Sequence, residues 1–401
     1  MRVSVDFQDD RLELELPDDA LVAAWSGPEG MGQEAEGAAF RDALKAPLEF
    51  PPLHQMVVSG DRVAIAIDDS SEGVPSRIAV IAEILEECGV APEEVTVVGM
   101  PGVRPDLGRE LPERLAFELH DPGDSSNLAY LATTGQGRRV YLNRRLTDAD
   151  VVIPIGRIGY DPVLGFRGPW SVIFPGLSDR ETQAEHRSWL TEEPHARAVP
   201  RPRLDEVLEV SWLLGTEFQI GMIPAARGVY RFVVGRTRAV RDQGVAELER
   251  LWSFVAPTRA ECVVVGIGGT GRESDLADLA EGLVTASRVV QHGGRIVALS
   301  RAVGPLGPGL RRLMDAGDVK DASAALRGHD DDPDSVTARQ LARVLGWADV
   351  YLMSRLERQT VEDLSMIPLD SLDDARRLIL RSGSSLTVAR AEWTRATAGD
   401  E

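Results

Sequence analysis

Residues 151–186 limit the possible folds of this chain more than any other stretch. The apolar segment Val151–Ile155 is typical of a buried strand, and it is followed by a loop rich in glycine and proline. These residues are Gly159, Pro162, Gly165, Gly168 and Pro169. Glycine lets a ligand approach the backbone closely, and α/β proteins bind ligands in the loops after their strands. The stretch, which continues to His186, therefore predicts a binding site.

An alternation of strand and helix patterns sets the fold class. The apolar segment Arg62–Ile67, a polar loop, the helical segment Ser76–Cys88 and the apolar segment Val95–Val98 form one α/β unit. Such units build parallel sheets whose loops gather at the carboxyl ends of the strands. Before this unit, the alternating segment Leu12–Leu16 predicts the second strand of a β-hairpin within residues 1–20.

A second α/β pattern begins after Pro257, where the predicted helix Arg238–Val255 has ended. The strand Cys262–Gly266, the helix Glu273–Val290 and the strand Arg295–Leu299 follow in order. We therefore predict an α/β fold of two domains with mainly parallel sheets. The predicted domains comprise residues 1–256 and 257–401, and we expect them to face each other across a central cleft that binds a small molecule.

Composition excludes several classes of partner. The 401-residue chain carries a net charge of −20. This charge argues against nucleic acid and anionic membranes, which are polyanions. The first residues lack the apolar segment of a signal peptide, and no apolar run approaches the length of a membrane span. With only two cysteines, neither at metal-ligand spacing, a reducing cytoplasmic location is expected. The composition does not predict an oligomeric state.

Gly266, Gly268 and Gly271 have the spacing of a dinucleotide-binding loop between a strand and a helix. The acidic residue that should end the next strand is missing, because that strand ends at Leu299-Ser300-Arg301. We therefore interpret the glycines as requirements of a tight turn. A nicotinamide-dependent oxidoreductase remains the weakest of three hypotheses.

Two further groups of polar residues could form sites. Residues 68–72, with sequence DDSSE, follow a predicted strand and could orient a ligand or cap the next helix. The six histidines are scattered without the i, i+4 spacing of a metal site. From sequence spacing alone, residues 68–72 could form either a binding site or a helix cap.

The order of these segments resembles the LarA-type lactate racemase family. The resemblance rests on the N-terminal LELELPDDAL, on PLEFPPL and GDRVAIAIDDS, on NLAYLATTGQGRRVYLNRRLTDADVVIPIG, on GFRGPWSVIFPGLSDRETQAEH and on VVVGIGG. It implies the two-domain α/β fold and the racemisation of 2-hydroxy acids with a nickel-pincer nucleotide.

The resemblance also implies positions for the functional residues, and most of them differ here. Glu72 stands at the position of the arginine that holds a substrate carboxylate. Val103 and Asp161 stand at those of the two acid/base histidines, and Ser171 at that of the lysine that tethers the cofactor. His186 matches the metal-ligand histidine.

The second domain of the family contributes a helix with further substrate-binding residues. At the matching positions this chain has Ala277, Asp278 and Glu281 instead of tyrosine, glutamine and lysine. Since valine cannot abstract a proton and serine offers no amine, the sequence argues against lactate racemisation and against the pincer cofactor.

Two main hypotheses follow. In the first, the chain is an isomerase or epimerase of another small hydroxylated substrate, and in the second it is a non-catalytic relative that binds a ligand or a partner. The predicted catalytic residues are Asp161, Glu72 and Glu281, and the predicted metal ligand is His186. The predicted cofactor-binding residues are Asp69, Ser71, Gly165, Gly168 and Ser171.

Overall fold

A computed structural model describes the chain except for residues 69, 70, 72, 188–201, 269–273, 318, 330, 331, 400 and 401. The first strands and helices, as far as residue 187, are β1 (Arg2–Phe7), β2 (Asp10–Glu15), β3 (Leu21–Trp25), α1 (Gln33–Lys45), β4 (Val63–Ile67), α2 (Val74–Glu87), β5 (Val95–Gly99), β6 (Ala116–Leu119), β7 (Leu128–Thr133), β8 (Arg139–Asn143), α3 (Arg144–Thr147), β9 (Val151–Arg157), β10 (Gly159–Asp161), β11 (Gly165–Arg167), α4 (Pro169–Ile173) and α5 (Arg180–Arg187).

The later ones are α6 (Pro202–Leu213), β12 (Phe218–Pro224), β13 (Val229–Arg236), α7 (Thr237–Trp252), β14 (Ser253–Ala256), β15 (Ala260–Gly266), α8 (Leu276–Ser287), β16 (Val290–Leu299), α9 (Pro308–Asp315), α10 (Val319–Ala325), α11 (Ser335–Leu345), β17 (Asp349–Met353), α12 (Arg358–Asp363), β18 (Ile367–Pro368), α13 (Leu372–Ile379), β19 (Ser385–Ala389) and β20 (Arg395–Ala398).

The chain forms two compact units, which we call the N-terminal unit (residues 29–186 and 190–249) and the C-terminal unit (residues 1–28, 187–189 and 250–401). The N-terminal unit contains a six-stranded sheet in the order β13-β12-β9-β4-β5-β6. All of its neighbouring strands are parallel except β12 and β13. Every residue of β4 is buried, as in a parallel strand whose two faces are both covered.

Helix α2 shows why this sequence folds as predicted. Ile78, Ile81 and Leu85 recur at helical spacing and are wholly buried. The helix begins two residues before the predicted Ser76, at Val74, with Pro75 in its first turn. Its apolar side faces the same core as the buried side chains of β4 and β5.

The C-terminal unit contains a second six-stranded sheet, in the order β18-β17-β16-β15-β19-β3. Its core lies between the sheet and helices that include α8 and α11. On the other face of the sheet, apolar side chains of the β1–β2 hairpin pack against β15 and β16. The alternation of apolar and charged residues in the hairpin gives it this single buried face.

Two glycines allow the hairpin to approach the end of β15. A Cβ atom at Gly266 would lie 2.1 Å from the backbone oxygen of Asp6, and one at Gly268 would lie 2.3 Å from Oε1 of Gln8. Gly268 also has a φ of +113°, a left-handed value that favours glycine. These contacts agree with our interpretation that the glycines meet a backbone requirement. Gly271, the third glycine of the pattern, lies outside the described residues.

The compact units differ from the predicted domains mainly in residues 1–28. The prediction assigns these residues to the first domain, whereas β3 pairs with β19 in the sheet of the C-terminal unit. The predicted helix Arg238–Val255 ends earlier, at Trp252, because Ser253–Ala256 form β14 and pair with β20. The division at residue 256 stays a prediction. Among the described residues, no helix is long and apolar enough to cross a membrane.

Candidate functional site

The candidate site begins at the carboxyl ends of β4 and β9 in the N-terminal unit. From β4 the chain passes to β5 and β6 on one side and later returns to β9 on the other side. Such a change of direction opens a crevice in which α/β proteins bind ligands. The carboxylate of Asp68, directly after β4, accepts the backbone N–H of Arg157 at 3.2 Å. This bond joins the two strand ends at the crevice.

The β10–β11 hairpin follows β9 and carries two predicted site residues. Tyr160 and Phe166 are cross-strand partners, and both are buried, with ring centroids 5.8 Å apart. Asp161 lies on the opposite face of the hairpin, since successive side chains of a strand alternate. Its Oδ1 accepts the backbone N–H groups of Val163 at 2.8 Å and Leu164 at 2.6 Å. One oxygen of this predicted catalytic carboxylate therefore stabilises its own turn.

Gly165 and Gly168, two predicted cofactor-binding residues, have local structural roles. Gly165 has a φ of +81°, which the tight turn of the hairpin requires. A Cβ atom at Gly168 would lie 2.5 Å from the ring of Trp170. The glycines thus permit the turn and the close packing of α4, whatever they also offer a ligand.

Ser171, at the position of the tethering lysine, closes the first turn of α4. Its hydroxyl donates to the carbonyl oxygen of Gly168 at 2.8 Å and lies 3.2 Å from the N–H of Gly168. The side chain is half-buried. Ser171 therefore satisfies backbone groups at a helix end, which is a common role of serine.

His186, the predicted metal ligand, is 2% exposed. Its Nδ1 lies 3.1 Å from the carbonyl oxygen of Thr182, so Nδ1 carries the proton and donates it there. Its Nε2 lies 3.8 Å from Oε2 of Glu206, and the ring of Phe174 packs edge-on at a centroid distance of 5.0 Å. Burial lowers the pKa of His186 to about 4, so the ring is neutral at pH 7.

A cluster of four charged side chains surrounds this histidine, and the sequence analysis missed it. Arg138 forms two bonds of 2.6 Å with Glu185 and one of 2.7 Å with Glu206. Arg203 contacts Glu185 at 2.9 Å and Glu206 at 3.3 Å. Hydrogen bonds from Arg138 contribute most to lowering the pKa of Glu185 to about 2. Only Arg203 and Glu206, at i, i+3 spacing, gave a local signal.

His120 is a second buried histidine that the sequence analysis left without a role. Its Nε2 lies 2.7 Å from the carbonyl oxygen of Ser178, while its Nδ1 lies 3.3 Å from the amide nitrogen of Asn143. Asn143 also donates to Glu118 at 2.9 Å. Burial lowers the pKa of His120. Both ring nitrogens therefore have partners, and the residue connects the end of β6 to the turn after α4.

The remaining predicted residues are two that the structure leaves undescribed and three on separate structural elements. Asp69 and Glu72 lie outside the described residues. The hydroxyl of Ser71 lies 3.1 Å from Nη2 of Arg77. Val103 is 4% exposed and belongs to the apolar core. Glu281 is half-buried on α8 of the C-terminal unit.

Comparisons with known proteins agree with this architecture. A model of the lactate racemase N-terminal domain matches residues 7–198. The lactate racemase of Thermoanaerobacterium thermosaccharolyticum is 22% identical over 413 residues, which cover 96% of each chain. Residues 7–198 thus match the lactate racemase N-terminal domain, and the whole chain is similar to a lactate racemase. This result confirms the family resemblance seen in the sequence.

Solved structures confirm the predicted fold class. The structure of the lactate racemase apoprotein from T. thermosaccharolyticum has a TM-score of 0.81 at 19% identity, covering 99% of this chain and 100% of that chain. A Thermotoga maritima protein has a TM-score of 0.69 at 14% identity, covering 93% of this chain and 99% of that chain. The family fold is therefore retained as α/β with mainly parallel sheets.

The nickel-pincer nucleotide that the family resemblance implies does not fit the described residues. Ser171 offers a hydroxyl that is already bonded to Gly168 in place of a tethering amine. Nε2 of His186 is buried and faces a carboxylate that two arginines already hold. In the described part of the chain, no three His, Cys, Asp or Glu side chains could together hold a metal ion. No step of a mechanism is therefore derived through this cofactor.

Proposed function

We propose that this member of the lactate racemase family binds a small hydroxylated molecule at the β4–β9 strand ends and does not racemise lactate through a nickel-pincer nucleotide. Ser171 is the observation that carries the proposal. A tether requires a nucleophilic amine, whereas this hydroxyl holds the first turn of α4. The binding role is supported by the crevice, where Asp68 and Arg157 meet.

The acid/base positions support the same proposal. Racemisation by proton or hydride transfer at a carbon atom requires a suitable group on each face of the substrate. The side chain of Val103 lies in the apolar core and has no proton to exchange. Asp161 has one carboxylate oxygen committed to its turn. The protein would thus retain the family fold as a binding protein.

A second candidate function is an isomerase or epimerase of a different hydroxylated substrate. Asp161 favours it, because the residue is half-buried and only its Oδ1 has hydrogen bonds among the described residues. Its Oδ2 could serve as a single acid/base group that removes and returns a proton. Conversion of hydroxylated substrates in deuterated water, followed by NMR, distinguishes the two functions. Deuterium incorporation that Asp161→Asn abolishes would establish the enzyme.

The main proposal can be tested by producing the protein in a host that supplies the nickel-pincer nucleotide. Lactate racemase of T. thermosaccharolyticum, produced in the same host, is the positive control. We expect no covalent mass increase, substoichiometric nickel and no interconversion of L- and D-lactate. A mass increase that matches the nucleotide, together with one nickel per chain, would refute the proposal.

The variant Ser171→Lys shows whether the missing amine alone prevents attachment of the cofactor. Lysine restores an amine at the tether position, and intact mass reports attachment independently of activity. If Ser171 alone prevents tethering, the variant gains the mass of the nucleotide. If the buried environment of His186 also prevents binding, the mass stays unchanged. Both results agree with the proposal, whereas a wild-type adduct contradicts it.

A further inference from the structure

The polar face of the β10–β11 hairpin carries an arginine that the sequence analysis did not single out. Arg167 pairs across the hairpin with Gly159, and Asp161 pairs with Gly165. Asp161 and Arg167 therefore lie on the same face, opposite Tyr160 and Phe166. Each is diagonal to the other, and each faces a glycine. The two charged side chains thus share a surface on which no other side chain of the hairpin stands.

The guanidinium of Arg167 lacks the partners that a half-buried arginine usually has. Its Nε is buried without a hydrogen-bonding partner, and the group forms no ion pair with the residues that the structure describes. A Cβ atom at Gly159 would lie 3.2 Å from this Nε, so the side chain lies over the bare backbone of the glycine. Leaving a charged donor unpaired away from water costs free energy.

Other shielded arginines of the N-terminal unit contrast with Arg167. Arg77 forms an ion pair of 2.8 Å with Glu36, and Arg138 and Arg203 both contact Glu185 and Glu206. Arg104 also has a buried Nε without a partner, but its terminal nitrogens bind carboxylates. A shielded cation that forms no ion pair with the described residues is suited to an anion from solution.

We propose that Arg167 is the specificity-determining residue of the site and binds an oxyanion, either a carboxylate or a phosphate group, of the ligand. The planar guanidinium can donate two parallel hydrogen bonds to such a group. Oδ2 of Asp161 accepts a hydroxyl group of the same molecule, while Oδ1 continues to hold the turn. This inference rests on the proposed binding function and narrows its ligand to a hydroxylated oxyanion.

The family resemblance places Glu72 at the position of the arginine that holds a substrate carboxylate, which reverses the charge at that position. The hairpin provides a cation at a different position, because Gly159 leaves room for the side chain of Arg167. The hairpin thus supplies a cation at a position where the family resemblance does not place one.

Calorimetry on the full chain with four probes tests the proposal. The probes are glycerate, glycerol phosphate, inorganic phosphate and uncharged glycerol. We expect glycerate or glycerol phosphate to bind the wild type more tightly than glycerol does. The probe that binds more tightly shows whether the oxyanion is a carboxylate or a phosphate group. Inorganic phosphate measures the contribution of the anion without a hydroxylated carbon chain.

Variants assign the binding to Arg167. Arg167→Ala should weaken the binding of the preferred oxyanion roughly 10-fold to 100-fold, since it removes charged hydrogen bonds. Arg167→Lys should recover part of this loss because it keeps the charge without the planar fork. Arg139→Ala is the matched control, because Arg139 is an exposed arginine of the same unit. Its affinity should equal that of the wild type.

Two results would overturn the proposal. One is that no oxyanion binds the wild type, and the other is that Arg167→Ala binds as tightly as the wild type. Binding of glycerol alone would leave the proposed binding function intact while removing the oxyanion. Conversely, a nickel-pincer adduct would remove the proposed function, and the affinities of the Arg167 variants would still decide whether this residue holds an oxyanion.

Discussion

The two six-stranded sheets end differently at their carboxyl edges. In the N-terminal unit, the edge carries Asp68 and Arg157 at the strand ends, and on the next hairpin lies Arg167, whose Nε has no partner among the described residues. In the C-terminal unit, the β1–β2 hairpin covers the equivalent end of β15 so closely that Gly266 meets the backbone of Asp6. Similar architecture is thus closed at one edge by the chain's own backbone, whereas we propose that the other edge binds a ligand.

A buried acid accompanies the closed edge. Glu392 follows β19 and is 6% exposed, and its Oε1 accepts the N–H of Gly268 at 3.2 Å. Its Oε2 is buried without a hydrogen-bonding partner among the described residues. Burial raises the pKa of Glu392 to about 7. Burial lowers the pKa of His186 in the N-terminal unit. The two pKa values move in opposite directions for the same reason, since burial favours the neutral form of both groups.

The largest expected effect comes from opening the closed edge with Gly266→Val. The new side chain would overlap the backbone oxygen of Asp6, and a backbone atom cannot move aside without displacing the hairpin. We expect a loss of roughly 3 kcal/mol or more in the free energy of unfolding. Urea denaturation measures it.

Gly37→Ala is the control for this experiment. A Cβ atom there meets nothing within 4 Å, and alanine should stabilise helix α1 by roughly 0.5–1 kcal/mol. If Gly266→Val costs less than about 1 kcal/mol, the hairpin does not close this edge tightly.

Glu392→Gln tests the cause of the pKa shift at the closed edge. The folded protein holds the wild-type carboxyl protonated at pH values at which the unfolded chain, with a pKa near 4.5, has released its proton. The stability contributed by Glu392 is therefore complete below that value and is lost as the pH rises to about 7. The variant should gain up to roughly 3 kcal/mol relative to the wild type between pH 4 and pH 8. A constant difference over this range would contradict the assignment.

His186 should produce the opposite pH dependence in the N-terminal unit. The folded-state pKa of His186 lies below the ordinary value of 6.5. Its contribution to the free energy of unfolding is therefore complete above pH 6.5 and is lost as the pH falls to about 4. The loss should approach roughly 3 kcal/mol in the wild type and disappear in His186→Gln. Thermal unfolding between pH 4 and pH 8 measures both proteins. Equal acid sensitivity of the two would mean that other groups cause it.

The smallest expected effect distinguishes a binding arginine from a structural one. Arg167→Ala removes a guanidinium that has no ion pair with the described residues, so the free energy of unfolding should change by less than about 0.5 kcal/mol. Arg138→Ala should cost about 3 kcal/mol or more, because it leaves the buried Glu206 with one cation fewer. Urea denaturation compares the two variants directly. Equal losses would show that Arg167 is also structural.

The sequence predicted those parts of the fold that depend on local periodicity. The β1–β2 hairpin, β4 with α2 and β5, and β15 all follow from apolar patterns, and the family resemblance supplied the architecture. The pairing of β3 with β19 had no local signal, because it joins Leu21 to Ser385 across most of the chain. Residues 253–255 of β14 were assigned to a helix because they continue the preceding helical pattern.

The sequence predicts which loops form the candidate site, but not the hydrogen bonds of its side chains. The sequence located the loops after β4 and β9 and named Asp161 and Ser171, but it did not reveal that both side chains bond to their own backbone. The charged cluster around His186 joins residues far apart in sequence, which periodicity cannot detect. Arg167 was missed because its distinguishing feature, a buried Nε without a hydrogen-bonding partner in the described part of the chain, depends on the three-dimensional structure.

The pairing of β3 with β19 also sets an order of events during synthesis. Residues 1–28 emerge from the ribosome long before β19 exists, so the hairpin and β3 must wait without their sheet. The N-terminal unit, whose strands all lie within residues 63–236, can complete its own sheet meanwhile. The N-terminal unit can therefore fold before the C-terminal unit, which closes last. Until β19 is made, the apolar face of the β1–β2 hairpin lacks its sheet and is a surface that a chaperone could bind.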